Sequence, residues 1–167
     1  MSLSSALAFD KLDQPVAAAH AYESAIANEN IDIQIYLNLA VLYFVCCDGG
    51  YATHHKLSQQ FLDQAWTRSF TVLDEAEHRF GQEPEAEFWK KYFQFILLGG
   101  NPFIQECEQL IQDKVILIPF FYLFMSPGGN RYEVQAEQLL QRVRVGTTAK
   151  ERYIKSIIES SLHHRTS

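Results

Sequence analysis

Apolar side chains along this chain recur three and four residues apart and hardly ever alternate, so the pattern predicts helices almost throughout. Leu7 and Phe9 mark a short first helix, Ser4 to Lys11. Asp13 and Gln14 turn the chain, and Pro15 stands where a first helical turn tolerates a missing N–H. That second helix runs to about Asn28, with Ala18, Tyr22, Ala25 and Ile26 on one face. Asn30 and Asp32 cap a third, Ile33 to Cys47, which is apolar almost all round and therefore expected to lie between other helices.

Asp48-Gly49-Gly50 reads as a stop followed by a loop through His54 and His55, and the path of residues 48–60 stays open. Leu57 to Phe80 is the longest periodic stretch, ended by Gly81. Pro84 opens a helix bearing Phe88, Trp89, Tyr92, Phe93 and Ile96, and Gly99-Gly100 ends it. Asn101-Pro102 reads as a cap and first-turn proline for a helix carrying Ile104, Cys107, Leu110 and Ile111. Val115 to Met125 starts β-branched, which fits a strand, while its phenylalanine-rich centre and its neighbours favour a short buried helix from Pro119. Asn130 to Glu133 and Thr148 to Glu151 match capping boxes that open the last two helices. The final helix carries Ile154, Ile157 and Ile158, with His163, His164 and Arg165 at the end that suits cations. About nine helices with short connections and no low-complexity linker read as one all-α domain over residues 1–167.

One stretch carries a more specific pattern. Ala18-x3-Tyr22-x2-Ala25 is followed, after a turn, by Tyr36-x2-Leu39-Ala40-x2-Tyr43, with Asn38 between the aromatic and the leucine. This resembles the tetratricopeptide repeat over residues 13–47. The resemblance implies a short α-α superhelix, with small residues letting neighbouring helices approach to about 8–10 Å. It also implies that Ala18, Tyr22, Ala25, Tyr36, Leu39, Ala40 and Tyr43 are buried at one helix-pair contact, and that the terminal helix Thr148–Leu162 caps the stack over Tyr132, Leu139, Leu140 and Val143. After residue 47 the match fades. Trp89, Tyr92, Phe93 and Ile96 repeat the spacing, but Phe93 replaces a small residue, and Trp89 lies 53 residues beyond Tyr36 against a repeat of roughly 34. Residues 51–80 therefore hold an insertion or an overlong helix.

Members of this family mostly bind peptides or helices in a concave groove. By the match, Gln34, Leu37, Asn38, Val41 and Phe44 line that groove, joined by Glu87, Lys90, Gln94 and Leu97 in the next unit. An apolar groove of this kind suits a hydrophobic peptide or helix. The alternative is that these residues are core, covered by a terminal helix or by a second copy of the chain. The basic residues that clamp a terminal carboxylate in some members are not in place here.

Charge narrows the partner class. The 167 residues carry 14 basic and 20 acidic side chains, a formal net charge of −6, which argues against nucleic-acid binding as a main task. The basic residues from Arg142 to Lys155 read as solvated faces or, more sharply, as an anion patch. The longest apolar run falls well short of the roughly 20 residues that span a membrane, and no basic start precedes the N-terminal apolar stretch, so a cytoplasmic protein with no membrane partner is expected. Three cysteines without metal spacing read as core thiols in a reducing compartment.

No phosphate loop, nucleophile elbow or dinucleotide fingerprint occurs, and His54-His55 near Cys46-Cys47 lacks a third ligand at a motif spacing. The expected function is accordingly a non-enzymatic protein-interaction module, an adaptor or small client-binding chaperone, without cofactor or metal. The competing expectation is a small-molecule or enzymatic α domain with its site in an aromatic pocket near Trp89, Tyr92 and Phe120.

Overall fold

The computed structural model describes residues 2–27, 31–113 and 116–166. Among them every regular element is helical: ten α-helices and one short 3-10 turn, with no strand. They fall into two compact units, one of residues 1–93 with 147–150, the other of residues 94–146 with 151–167. The Asn28 helix end, the Asn30 cap, Val115 and the Arg165 side chain lie outside the described residues.

In the first unit α1 (Leu3–Lys11) packs along α2 (Pro15–Ile26), α2 along α3 (Ile33–Cys46), and α3 along α5 (Gln59–Phe80). Side-chain caps fix the starts: Ser2 for α1, Asp32 for α3 and Ser58 for α5. Gly81, at φ +82°, stops α5 with a backbone that other residues reach only under strain. The seven small and aromatic residues of the repeat pattern are all buried. The third helix is enclosed, as its all-round apolarity requires: Tyr36 meets Phe80 edge-on, Tyr43 meets Phe61, and Phe44 stacks on Phe93 at 4.5 Å.

One feature departs from the pattern's expectation. The segment after Asp48 is the helix α4 (Gly49–His54), with Asp48 as its N-cap accepting from the Tyr51 N–H at 2.8 Å. Gly49-Gly50 therefore begins a helix where a loop was expected. The Tyr51 hydroxyl donates to Asp13 at 2.7 Å, and His55 Nε2 lies 3.1 Å from the same carboxylate, so the α1–α2 turn anchors this short helix. Asp13 itself sits at φ 54°, which a short polar side chain tolerates. Residues 51–80 thus hold the end of α4 and a long α5 of 22 residues.

Charged side chains tie the first unit's helices together. Arg68 on α5 donates to Glu23 on α2 at 2.8 and 2.9 Å and pairs with Glu75. Tyr43 on α3 donates to the same Glu23 at 3.0 Å. Burial works to lower the Arg68 pKa, but hydrogen bonds to Glu75 and Glu23 outweigh it and hold the pKa above the usual value.

In the second unit α7 (Ile104–Asp113), α8 (Pro119–Met125) and α9 (Glu133–Val143) surround an aromatic cluster. The helix α8 confirms the helical option for the phenylalanine-rich run. The first helix here starts at Ile104, two residues after the expected proline start. Phe103 explains the delay: its ring stacks on Tyr122 at 4.4 Å, and its N–H donates to the Tyr122 hydroxyl at 3.2 Å, which holds that residue out of the helix. The expected Asn130 cap is likewise replaced. Gly129–Tyr132 is a 3-10 turn, and α9 begins at Glu133 without a side-chain cap. Gly129 lies so close to the carbonyl oxygens of Leu123 and Phe124 that a Cβ would overlap them, which fixes the tight turn. Tyr153 of α10 (Ala149–Thr166) meets Phe121 of α8 edge-on.

Candidate interaction surfaces

The positions expected to line a groove have a different role. Leu37 and Val41 are fully buried, and Asn38 and Phe44 nearly so. At Phe44 the cover comes from helix α6 (Pro84–Leu98), whose first-unit residues Tyr92 and Phe93 lie against its ring. Phe93, at the spacing where the sequence pattern carries a small residue, places its ring flat against that of Phe44. The groove expectation is therefore corrected: in this unit Leu37, Val41 and Phe44 are core.

Gln34 is exposed, but its side chain is already engaged. Its Oε1 accepts from Lys150 Nζ at 2.7 Å, and its Nε2 donates to Glu85 at 3.3 Å. Lys150 also donates to Glu85 Oε1 at 2.7 Å, and the Trp89 indole N–H reaches the same oxygen at 3.3 Å. Helix α10 thus gives its first two residues, Ala149 and Lys150, to the first unit. Its start is held from far away in sequence: Asp10, itself buried, accepts from the Ala149 N–H at 2.8 Å and from the Tyr22 hydroxyl at 2.9 Å. Of the expected basic patch, Lys150 is consequently buried and paired, while Arg142 and Arg144 are exposed. Lys90 bridges Asp74 at 2.6 Å and Glu77 at 2.9 Å, and these two acids raise its pKa. Glu87 and Gln94 are exposed, and Leu97 is half-buried.

The residues of the expected aromatic pocket belong to different units. Trp89 and Tyr92 are fully buried in a cluster with Phe88 and Phe93 in the first unit. Phe120 belongs to the second unit and meets Tyr132 there. Among the described residues no group of three or more His, Cys, Asp or Glu side chains gathers as a metal site would require, and no helix is long and apolar enough to cross a membrane. Cys46 and Cys107 are buried. Burial pushes the Cys47 thiol up to about 11 and the Cys46 thiol further still, so both are poor nucleophiles at neutral pH.

Two surface features of the first unit escaped the sequence pattern. Trp66 on α5 is 43% exposed and, with Cys47, Leu62, Gln59 and Asp63, lines a hollow of about 190 Å³. Its position one residue past Ala65 turns it about 100° away from the buried stripe of Phe61, Ala65, Val72 and Ala76, so the helical period did contain the signal. The second is a cleft of about 320 Å³ where the end of α5 faces the start of α6. The charge distribution sharpens both. By sequence the first unit holds thirteen acidic and seven basic residues, so the whole net charge of −6 resides there, and the second unit is balanced at seven of each. Comparison with known proteins finds no matching family model, no matching curated protein and no matching solved structure.

Proposed function

We propose that this protein is a cytoplasmic, non-enzymatic interaction module of tetratricopeptide-like build, an adaptor or small client-binding chaperone, that docks a positively charged amphipathic helix on α5 around Trp66. The observation that carries this reading is the exposed tryptophan beside Leu62 over a hollow in a unit whose other large aromatics are mostly buried. A tryptophan half out of water is a typical anchor of a protein interface, since burying it releases much apolar surface at little entropic expense. The surplus of acids in the same unit favours a basic partner and would steer it to this surface. The repeat-like packing of α2 and α3 supports the scaffold part of the reading, with docking on an outer helix face in place of the filled groove.

The test uses tryptophan emission, because the only other tryptophan, Trp89, is fully buried. A synthetic amphipathic Leu/Lys helix should shift the emission to shorter wavelength in a saturable manner, its Leu/Glu counterpart should not, and Trp66→Phe should abolish the shift and weaken binding. Equal binding of both peptides, or unchanged binding by Trp66→Phe, overturns the assignment. So does sedimentation showing a dimer whose Trp66 is already shielded from acrylamide, because the surface would then belong to a second copy.

A further inference from the structure

The cleft between the end of α5 and the start of α6 has a floor and a rim of opposite character. Leu73 and Ala86, both buried, form an apolar floor. Glu83 and Glu87 stand on the rim, four residues apart on either side of the first turn of α6. Carboxylates near a helix start are favoured by the dipole, so their presence alone says little. Their surroundings say more. Lys90, three residues past Glu87, lines the cleft as well, as do Glu77 and Gln82, but its ammonium is already held by Asp74 and Glu77 on α5. Among the described residues, no hydrogen bond or ion pair reaches the Glu83 or Glu87 side chain. Two like charges at this spacing repel each other on one helix face. They do so beside a hollow of about 320 Å³, the size at which small ligand groups are enclosed.

We propose that this cleft is a specificity pocket for an arginine side chain presented by the basic partner. The assignment rests on the interaction-module reading and adds the residue that the partner must carry. An arginine stem covers apolar surface while its charged end stays at the rim, which matches a floor of Leu73 and Ala86 below two carboxylates. The planar guanidinium offers five N–H donors in a fixed fork and can address Glu83 and Glu87 together, whereas a lysine ammonium acts as a compact point charge. Bound there, it replaces the missing counter-charge on α6 without displacing Lys90 from its own acids.

The experiment is a nitrogen–proton correlation NMR titration of the full chain with N-acetylarginine methylamide, reading the amides of Leu73, Ala86 and Glu87. N-acetylcitrulline methylamide serves as the uncharged isostere and N-acetyllysine methylamide as the alternative cation. Arginine should shift these amides with a Kd on the order of millimolar, as befits one side chain. The double variant Glu83→Gln/Glu87→Gln, altered only at rim positions, should raise that Kd about tenfold. Citrulline should fail, and lysine should bind more weakly. Equal binding of citrulline, equal binding of lysine, or no shift at the cleft overturns the arginine pocket. Those outcomes leave the Trp66 reading intact if the Leu/Lys helix still shifts tryptophan emission. Conversely, a cleft that binds arginine while Trp66 ignores the helix overturns only the Trp66 surface.

Discussion

Removing the Lys150 charge tests whether the start of α10, Ala149 and Lys150, is a working part of the first unit. The Lys150 side chain is 8% exposed and Glu85 is 18% exposed, with their charged atoms 2.7 Å apart. Breaking a fully buried pair from one side typically costs about 3–5 kcal/mol, because the remaining charge is left without compensation. Here Glu85 keeps some solvent and the Trp89 N–H, so Lys150→Met should cost about 2–3 kcal/mol, since methionine preserves most of the buried stem. In a chain of this size that corresponds to a fall in Tm of about 4–12 °C. Glu85→Gln added to Lys150→Met should recover about 1–2 kcal/mol, because a neutral amide no longer strands a charge and its carbonyl still accepts from Trp89. The assay is urea unfolding followed by circular dichroism at 222 nm, run at low and at high salt, since a buried pair is screened little. A single-variant loss below about 0.5 kcal/mol, or a double variant that is simply additive, would refute the claim that this pair is desolvated and holds the turn in place.

Three further outcomes follow from the packing. Ala40, fully buried between helices, should not tolerate Ala40→Trp, which overpacks the repeat contact by about 1–3 kcal/mol or more; a wild-type melting temperature would show that the helix register is wrong. Gly129→Ala should destabilise strongly, because its Cβ meets two carbonyl oxygens, whereas Gly49→Ala, with open space and an ordinary backbone, should leave the melting curve unchanged or raise it by about 0.4–1 kcal/mol of stability. The Cys47 thiol, raised from 9.0 to about 11 by burial, contributes stability that is whole below pH 9 and is lost as pH climbs towards 11. The urea midpoint should therefore fall across that window, less so in Cys47→Ala, and a flat profile would contradict the burial. In keeping with this, a thiol reagent at neutral pH should label the native chain slowly and all three cysteines quickly after unfolding.

The sequence by itself determined the helices other than α4, because the spacing of apolar residues is a property of each segment alone. The all-round apolarity of α3 placed it inside, and the spacing of Ala18, Tyr22, Ala40 and Tyr43 marked residues that the fold buries. It failed where an element's start depends on something distant. Phe103 stays out of α7 because Tyr122 claims its ring and its N–H, and the start of α9 is set by Gly129 approaching the backbone of α8. It failed again at the expected groove, since a repeat pattern says which residues face away from one neighbour but not whether another helix covers them. Phe44 is covered by the stacked ring of Phe93, and Leu37 and Val41 are fully buried. Asp10 and Ala149, 139 residues apart, meet in one hydrogen bond for which no local pattern carries a signal. Local periodicity is written in neighbouring residues, but which faces remain open to a partner is decided by packing between residues that the chain brings together only when it folds.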